Sequence, residues 1–350
     1  MIDLTANIII DARSITHYLY IFSFLKNKIK KENIIMIWTG KKEHLVFLNK
    51  LLELPKIIYS LDINTKSTSL IFDLLALKKI KKISSELVKK YPSRQLLTTY
   101  ASGLYFEFLK KNLNISDKNV IQFDDGSLNL IVKQNKFRII KKILFYFYGI
   151  NIVQPKYILF SDERFISIYT SLNPKNIINI NKKIIINISK NVNDLFSFLS
   201  NKHLWIPKLN SAVLLTTHSV ESKRMVIADY QKLITRVYKN LKLNGANEIY
   251  LSKHPAETSI NDSFYLDLGL KLEYSSFPSE FFLINNNINY IANPFNSTII
   301  VGYQMGLLNK INYVLNFTPK KNADAQERFQ IINKILLKSR IKSKFITYDD

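Results

Sequence analysis

The sequence contains no cysteine. Disulfide staples, thiolate metal sites and a cysteine nucleophile are therefore excluded, and nothing in the composition implies an oxidising compartment. Glycine is sparse, with 8 residues in 350, and the glycine-based signatures are missing: there is no Walker loop, no GxGxxG fingerprint and no GxSxG nucleophile elbow. The apolar run ILFYFYGI at 143–150 is far too short to span a bilayer. The N-terminus, MIDLTANIIIDARS, lacks a basic segment followed by a long apolar one. A soluble cytoplasmic protein is expected.

Arginine is the next scarcity, standing only at positions 13, 94, 138, 164, 224, 236, 328 and 340. The formal net charge of +23 is therefore almost wholly lysine. Lysine gives a diffuse positive field, whereas readers of bases and phosphates favour the planar arginine fork. The excess suits an anionic substrate, an anionic membrane surface or nucleic acid. Against nucleic acid stand the few arginines, the lack of any recognisable binding module and a charge spread along the whole chain. Abundant Ile, Asn and Lys also fit an AT-rich coding sequence, so part of the charge reflects composition.

At 47% hydrophobic content, 350 residues favour two domains over one. Short apolar runs alternate with helical stretches: NIIID (7–11), a periodic stretch at 16–31, IIMIWTG (34–40), an amphipathic 42–54, KIIYSLDI (56–63), helical 68–91, QLLTTY (95–100), helical 101–112 and VIQF (120–123). Continuous apolar strands between helices predict a parallel sheet covered on both faces. Residues 151–210 are less regular. A second series then begins: AVLLTT (212–217), a helix over 219–243, EIYLSKHP (248–255), LKLEYSS (270–276), a helix from near Pro278, INYIANP (288–294), a helix over 297–308, INYVLNF (311–317) and a terminal helix over 323–339. The expected fold class is α/β, with two doubly wound Rossmann-like domains facing across a cleft. The domains are expected at 1–160 and 211–350, with an irregular connecting region at 161–210.

In open parallel sheets, ligands bind at the carboxyl ends of strands. Asp124, Asp125 and Gly126 follow the run VIQF, and His254 and Pro255 follow the run beginning at Glu248. A carboxylate and an imidazole so placed suit general base and general acid roles. Asp-Asp-Gly is equally ordinary turn chemistry. Glu280 lies in FPSEFFL, in a first helical turn where the dipole favours a carboxylate anyway. Ser297 and Thr298 open a helix in PFNSTIIVG, which suits a phosphate seat or a plain N-cap. Thr217, His218 and Ser219 follow another strand and suit either a nucleotide pocket or capping. Arg13 and Ser14 follow the first strand, on the acceptor side. His17, His44 and His203 have no second ligand at metal spacing.

Taken together, FDDG and KHP resemble the (D/E)(D/E)G and HP motifs of bacterial sialyltransferases, which decorate lipopolysaccharide, O-antigen or capsule using CMP-sialic acid. In that group an acidic residue contacts the ribose and a Ser-Ser or Ser-Thr pair binds the phosphate; Glu280 and Ser297-Thr298 stand in the matching order. The resemblance implies a GT-B fold, with the domain at 1–160 on the acceptor side and that at 211–350 binding the nucleotide sugar. It implies inverting transfer to a sugar hydroxyl, galactose being the commonest acceptor. Asp124 is the favoured base, with Asp125 and Gly126 as loop or acceptor support. His254 serves the leaving phosphate, and Pro255, Glu280, Ser297, Thr298 and Thr217 serve the donor. No convincing DxD of the metal-dependent transferases is present, and CMP-sialic acid already carries an anionic leaving group, so neither a metal nor another cofactor is expected. The basic, aromatic stretch KFRIIKKILFYFYG (136–149) suits a peripheral contact with the anionic inner membrane and a lipid-linked acceptor, or an ordinary partly buried helix. The competing readings are a GT-B transferase for another nucleotide sugar and a basic protein binding nucleic acid or a membrane surface.

Overall fold

A computed structural model describes residues 2–3, 5–26, 28–61, 70–99, 103–123, 146–147, 164, 167–170, 184–202, 205–254, 256–294, 298–318 and 323–347. The chain divides into two compact units, Met1–Val192 and Asn193–Asp350.

Among the described residues, the first unit is built on seven strands: β1 (Asn7–Ala12), β2 (Ile34–Trp38), β3 (Ile57–Ser60), β4 (Arg94–Thr98), β5 (Val120–Phe123), β6 (Ser167–Thr170) and β7 (Ile184–Asn187). They lie in the order β3-β2-β1-β4-β5-β6-β7, and every pairing is parallel. Ile8, Ile9 and Ile10 of β1 and Ile35, Met36 and Ile37 of β2 are wholly buried. Both faces of the central strands are covered, which explains runs of isoleucine without alternation. The helices are α1 (Ile15–Leu25), α2 (Lys42–Leu51), α3 (Leu70–Lys90) and α4 (Gly103–Asn112), with α5 (Ser189–Lys202) spanning the boundary between the units. Ser14 caps α1 by accepting the N–H of His17 at 3.2 Å. Leu77, Ile80 and Leu87 of α3 join Phe106 and Leu109 of α4 on the face of the sheet formed by Ile9, Ile35, Ile37 and Leu96. The opposite edge of α3 is lysine, with 78, 79, 81, 82, 89 and 90 all exposed.

Among the described residues, the second unit has five parallel strands: β8 (Ser211–Leu215), β9 (Ile249–Ser252), β10 (Ile288–Asn293), β11 (Tyr313–Thr318) and β12 (Lys342–Thr347), in the order β12-β11-β10-β8-β9. Its helices are α6 (Ile227–Leu243), α7 (Asp262–Asp267), α8 (Ser279–Leu283), α9 (Thr298–Gln304) and α10 (Ala323–Lys338). Tyr230, Leu233, Ile234, Val237 and Leu241, one stripe of α6, pack on Ala212, Leu214, Ile249 and Leu251. Both sheets have doubly wound strand orders, reversing between β1 and β4 and between β8 and β10.

The elements depart from the sequence expectations in several places. The helix expected from 219 begins at Ile227, because residues 216–226 form a turn-rich loop. LKLEYSS is not a strand: it makes a single bridge, Lys271 to Tyr250, and then turns through Tyr274 at a φ of 64°. The helix after Ser297 closes at Gln304, followed by a separate 3-10 turn at Leu307–Lys310. β6 and β12 were not anticipated, and β6 and β7 extend the first sheet.

Candidate active site

The carboxyl ends of β8 and β9 are neighbours, Leu215 lying beside Ser252, so the loops leaving them run together. His254 is anchored there twice. Its backbone N–H donates to Thr216 Oγ1 at 3.1 Å, and its Nδ1 accepts the N–H of Ala256 at 3.1 Å. An Nδ1 that accepts a backbone hydrogen carries none itself, so in the neutral ring the proton is assigned to Nε2. The ring of His218 lies against that of His254, with centroids 4.3 Å apart and planes inclined at 31°. The Thr217 and Ser219 hydroxyls are 2.7 Å apart. The residue at the start of α6 is Val226, with no side-chain cap. Thr217 and Ser219 therefore cap no helix and belong to the loop beside His254.

Beneath this loop is a carboxylate that the sequence reading did not single out. Glu257 is 5% exposed. It accepts from the Thr216 hydroxyl on Oε2 and from the Tyr265 hydroxyl on Oε1, the latter at 2.5 Å. The Tyr265 and Tyr230 hydroxyl oxygens lie 3.2 Å apart, and the N–H of Thr217 reaches the Tyr230 oxygen at 3.5 Å. Burial pushes the Glu257 carboxyl up to about 7, against the lowering effect of the two hydroxyl donors and Lys253. Lys253 itself is ion-paired with Asp262.

The segment before α8 is stitched to the end of β9: the Ser252 hydroxyl donates to Phe277 O at 3.2 Å, and the Lys253 N–H to Ser275 O at 2.8 Å. α8 then carries Glu280, which is 5% exposed. Ser279 joins it to the next candidate, its hydroxyl lying 3.3 Å from Glu280 Oε2 and 2.5 Å from Thr298 Oγ1. Glu280 and Thr298 are thus brought together, although they come from different helices. A close approach makes this possible: a Cβ on Gly302 of α9 would meet Leu283 Cδ1 of α8 at 2.8 Å. On its other side α8 rests on Trp205, whose ring stacks on Phe281 at 5.1 Å and meets Phe282 edge-on at 5.2 Å.

In the first unit, Arg13 follows β1 and sits 3.8 Å from Asp11, a buried carboxylate that also accepts from Thr98 Oγ1 at 3.1 Å. Arg13, Asp11, Thr39, Tyr105 and Phe106 line a small pocket at this end of the sheet. Gly40 is required beside it, since a Cβ there would lie 2.4 Å from Arg13 O. Asp124, Asp125, Gly126, Pro255 and Ser297 lie outside the described residues, as does most of 136–149; Tyr146 and Phe147 are each 79% exposed. Among the described residues no group of three or more His, Asp or Glu could hold a metal ion, and no helix is long and apolar enough to cross a membrane.

No protein-family model matches the sequence, and no curated protein does. Solved structures match in fold. An α/β-galactoside α-2,3-sialyltransferase from the luminous marine bacterium Photobacterium phosphoreum is similar with a TM-score of 0.52 at 12% identity, over 96% of this chain and 97% of that one. A protein assigned as a UDP-N-acetylglucosamine 2-epimerase from Listeria monocytogenes is similar with a TM-score of 0.53 at 10% identity, over 96% of this chain and 88% of that one. Identities this low establish the fold alone: the chain has the GT-B type of fold, two doubly wound parallel sheets carried by one polypeptide.

Proposed function

We propose that the protein is a glycosyltransferase that moves sialic acid from CMP-sialic acid to a sugar hydroxyl, with inversion and without a metal. The observation that supports this reading best is the setting of His254. A backbone amide occupies its Nδ1, which leaves Nε2–H as the donor atom, past the carboxyl end of the edge strand β9, whose neighbour β8 borders the switch point of the second sheet. Glu280 and Thr298, joined through Ser279, add a carboxylate and a hydroxyl on the neighbouring elements.

In this mechanism the bond from the anomeric carbon to the CMP phosphate oxygen breaks as the bond to the acceptor oxygen forms. The departing phosphate is an anion, so hydrogen-bond donors aimed at its oxygens stabilise the transition state more than the ground state. His254 Nε2–H and the hydroxyls of Thr217, Ser297 and Thr298 take that role, with Pro255 also on the donor side. Glu280 accepts from the ribose hydroxyls. Asp124 takes the proton of the acceptor hydroxyl, with Asp125 and Gly126 supporting its loop and Arg13 on the acceptor side. The acceptor is a galactose-terminated glycan of the bacterial surface. The exposed Tyr146 and Phe147, within a basic segment, suit a lipid-linked acceptor met at an anionic membrane.

A second reading, transfer from a different nucleotide sugar, draws on the likeness in fold to a protein assigned as a UDP-sugar epimerase. Calorimetric titration with CMP, UDP and GDP separates the two. CMP is expected to bind at least about tenfold more tightly than UDP, a difference of about 1.4 kcal/mol, and Thr298→Ala to weaken it. Preferential UDP binding would transfer the assignment to the second reading.

A further inference from the structure

We infer that Glu257 is a positioning residue for His254, acting through the Thr216 hydroxyl and the backbone turn 254–257, and that its ionisation state sets how the imidazole is held. The inference rests on the proposed role of His254, and it deepens that reading by adding a group that does not touch substrate.

Three connections lead from Glu257 to the imidazole. The side-chain route runs from Glu257 Oε2 to Thr216 Oγ1, which in turn accepts the backbone N–H of His254 at 3.1 Å. The backbone route closes the turn, with the N–H of Glu257 donating to His254 O at 2.8 Å. Between the two, the N–H of Ala256 holds Nδ1. One hydroxyl at the end of β8 thus pins both ends of the turn that carries the histidine. A carboxylate nearly lost to solvent gains nothing for stability from such a site unless its partners hold it. The groups facing it are the hydroxyls of Thr216 and Tyr265, with Tyr230 behind, and the charges of Lys253 and Glu221. Lys253 is shared with Asp262, so the positive charge opposing Glu257 is partly spent elsewhere.

The Thr216 hydroxyl has two acceptors within reach, Glu257 Oε2 and, at 3.5 Å, Ser252 O. With Glu257 ionised, Thr216 gives its hydrogen to the carboxylate and turns a lone pair to the His254 amide. With Glu257 protonated, the acid hydrogen goes to Thr216 and the threonine hydrogen turns to Ser252, so the same oxygen must serve two donors. The His254 turn is held more loosely in the second state. The carboxyl's elevation to about 7 places the exchange near neutral pH.

The test uses the full chain with 15N-labelled histidine, following the His254 ring nitrogens between about pH 5.5 and 8.5, alongside steady-state CMP release. Wild type is expected to show, beyond the imidazole's own titration, a second inflection near neutral pH in its His254 shifts that Glu257→Gln abolishes, because the amide stands in for the protonated acid at every pH. Thr216→Val is expected to lower kcat about tenfold or more with KM changed less, and Thr216→Ser to restore it. His44, on α2 of the first unit, serves as the internal control. Identical His254 titrations in wild type, Glu257→Gln and Thr216→Val would overturn the inference. So would Thr216→Val and Thr216→Ser proteins that fold and turn over alike. The ring titration needs no donor sugar, so failure of the sialyltransfer reading would leave it standing, and its own failure would leave that reading standing.

Discussion

A single backbone amide decides what His254 can do. Because Ala256 N–H occupies Nδ1, Nε2 is a donor whether the ring is neutral or charged. His254→Gln, which keeps an N–H donor at similar reach, is therefore expected to retain more transfer activity than His254→Ala, which should lose roughly a hundredfold or more in kcat. Equal loss in the two variants would contradict donation from Nε2. Glu257 makes a second prediction, on stability. Its carboxyl rises from 4.5 to about 7 on folding, so between those values the folded chain holds a proton that the unfolded chain has released. Stability from this group is fully present below about pH 4.5 and declines as pH rises through about 7, by roughly 3 kcal/mol at most. Urea unfolding at about pH 5 and pH 8 should show a steeper decline for wild type than for Glu257→Gln. A steeper decline in the variant would refute the burial-driven shift.

At the scale of elements, the candidate site depends on short helices being held by their neighbours. α8 has five residues and α9 seven, too few to be stable alone. Trp205 carries α8, so Trp205→Ala should cost about 3–5 kcal/mol of stability in the second unit and raise the KM for donor through Glu280. Gly302→Val should push α9 away from Leu283 and separate Thr298 from Ser279, raising KM while disturbing kcat less. Donor KM values with thermal melts check both. Strand existence was legible in the sequence where both faces are buried: VIQF at 120–123 coincides with β5, and NIIID and IIMIW fall on β1 and β2. It was not legible at the polar ends. SIYT at β6 has no continuous apolar run. β12 is an edge strand whose Lys342, Ser343 and Lys344 are exposed, a composition that blunts an edge and erases the pattern. LKLEYSS alternates as a strand does, but Tyr274 turns the chain at positive φ. His254, Glu280 and Thr298 were legible because they follow strands or open helices. Glu257 was not, because its meaning lies in the Thr216 hydroxyl, 41 residues away in sequence just past the end of β8.

For the molecule as a whole, the +23 net charge is an electrostatic field before it is a site. It matches an anionic donor, and with Tyr146 and Phe147 exposed it also matches an anionic bilayer. The protein is expected to co-sediment with vesicles containing phosphatidylglycerol at low salt and to be released as screening rises toward about 1 M. Tyr146→Ala combined with Phe147→Ala should weaken the retention that survives salt. Equal binding to neutral vesicles would remove the charge argument. The GT-B type of fold does not by itself choose a substrate. The most direct measurement is CMP release from CMP-sialic acid, with a galactoside acceptor and EDTA, by wild type, His254→Ala and Asp124→Asn. Acceptor-dependent turnover that survives EDTA and collapses in both variants is the predicted result; intact CMP-sialic acid, with no CMP bound, would contradict the assignment.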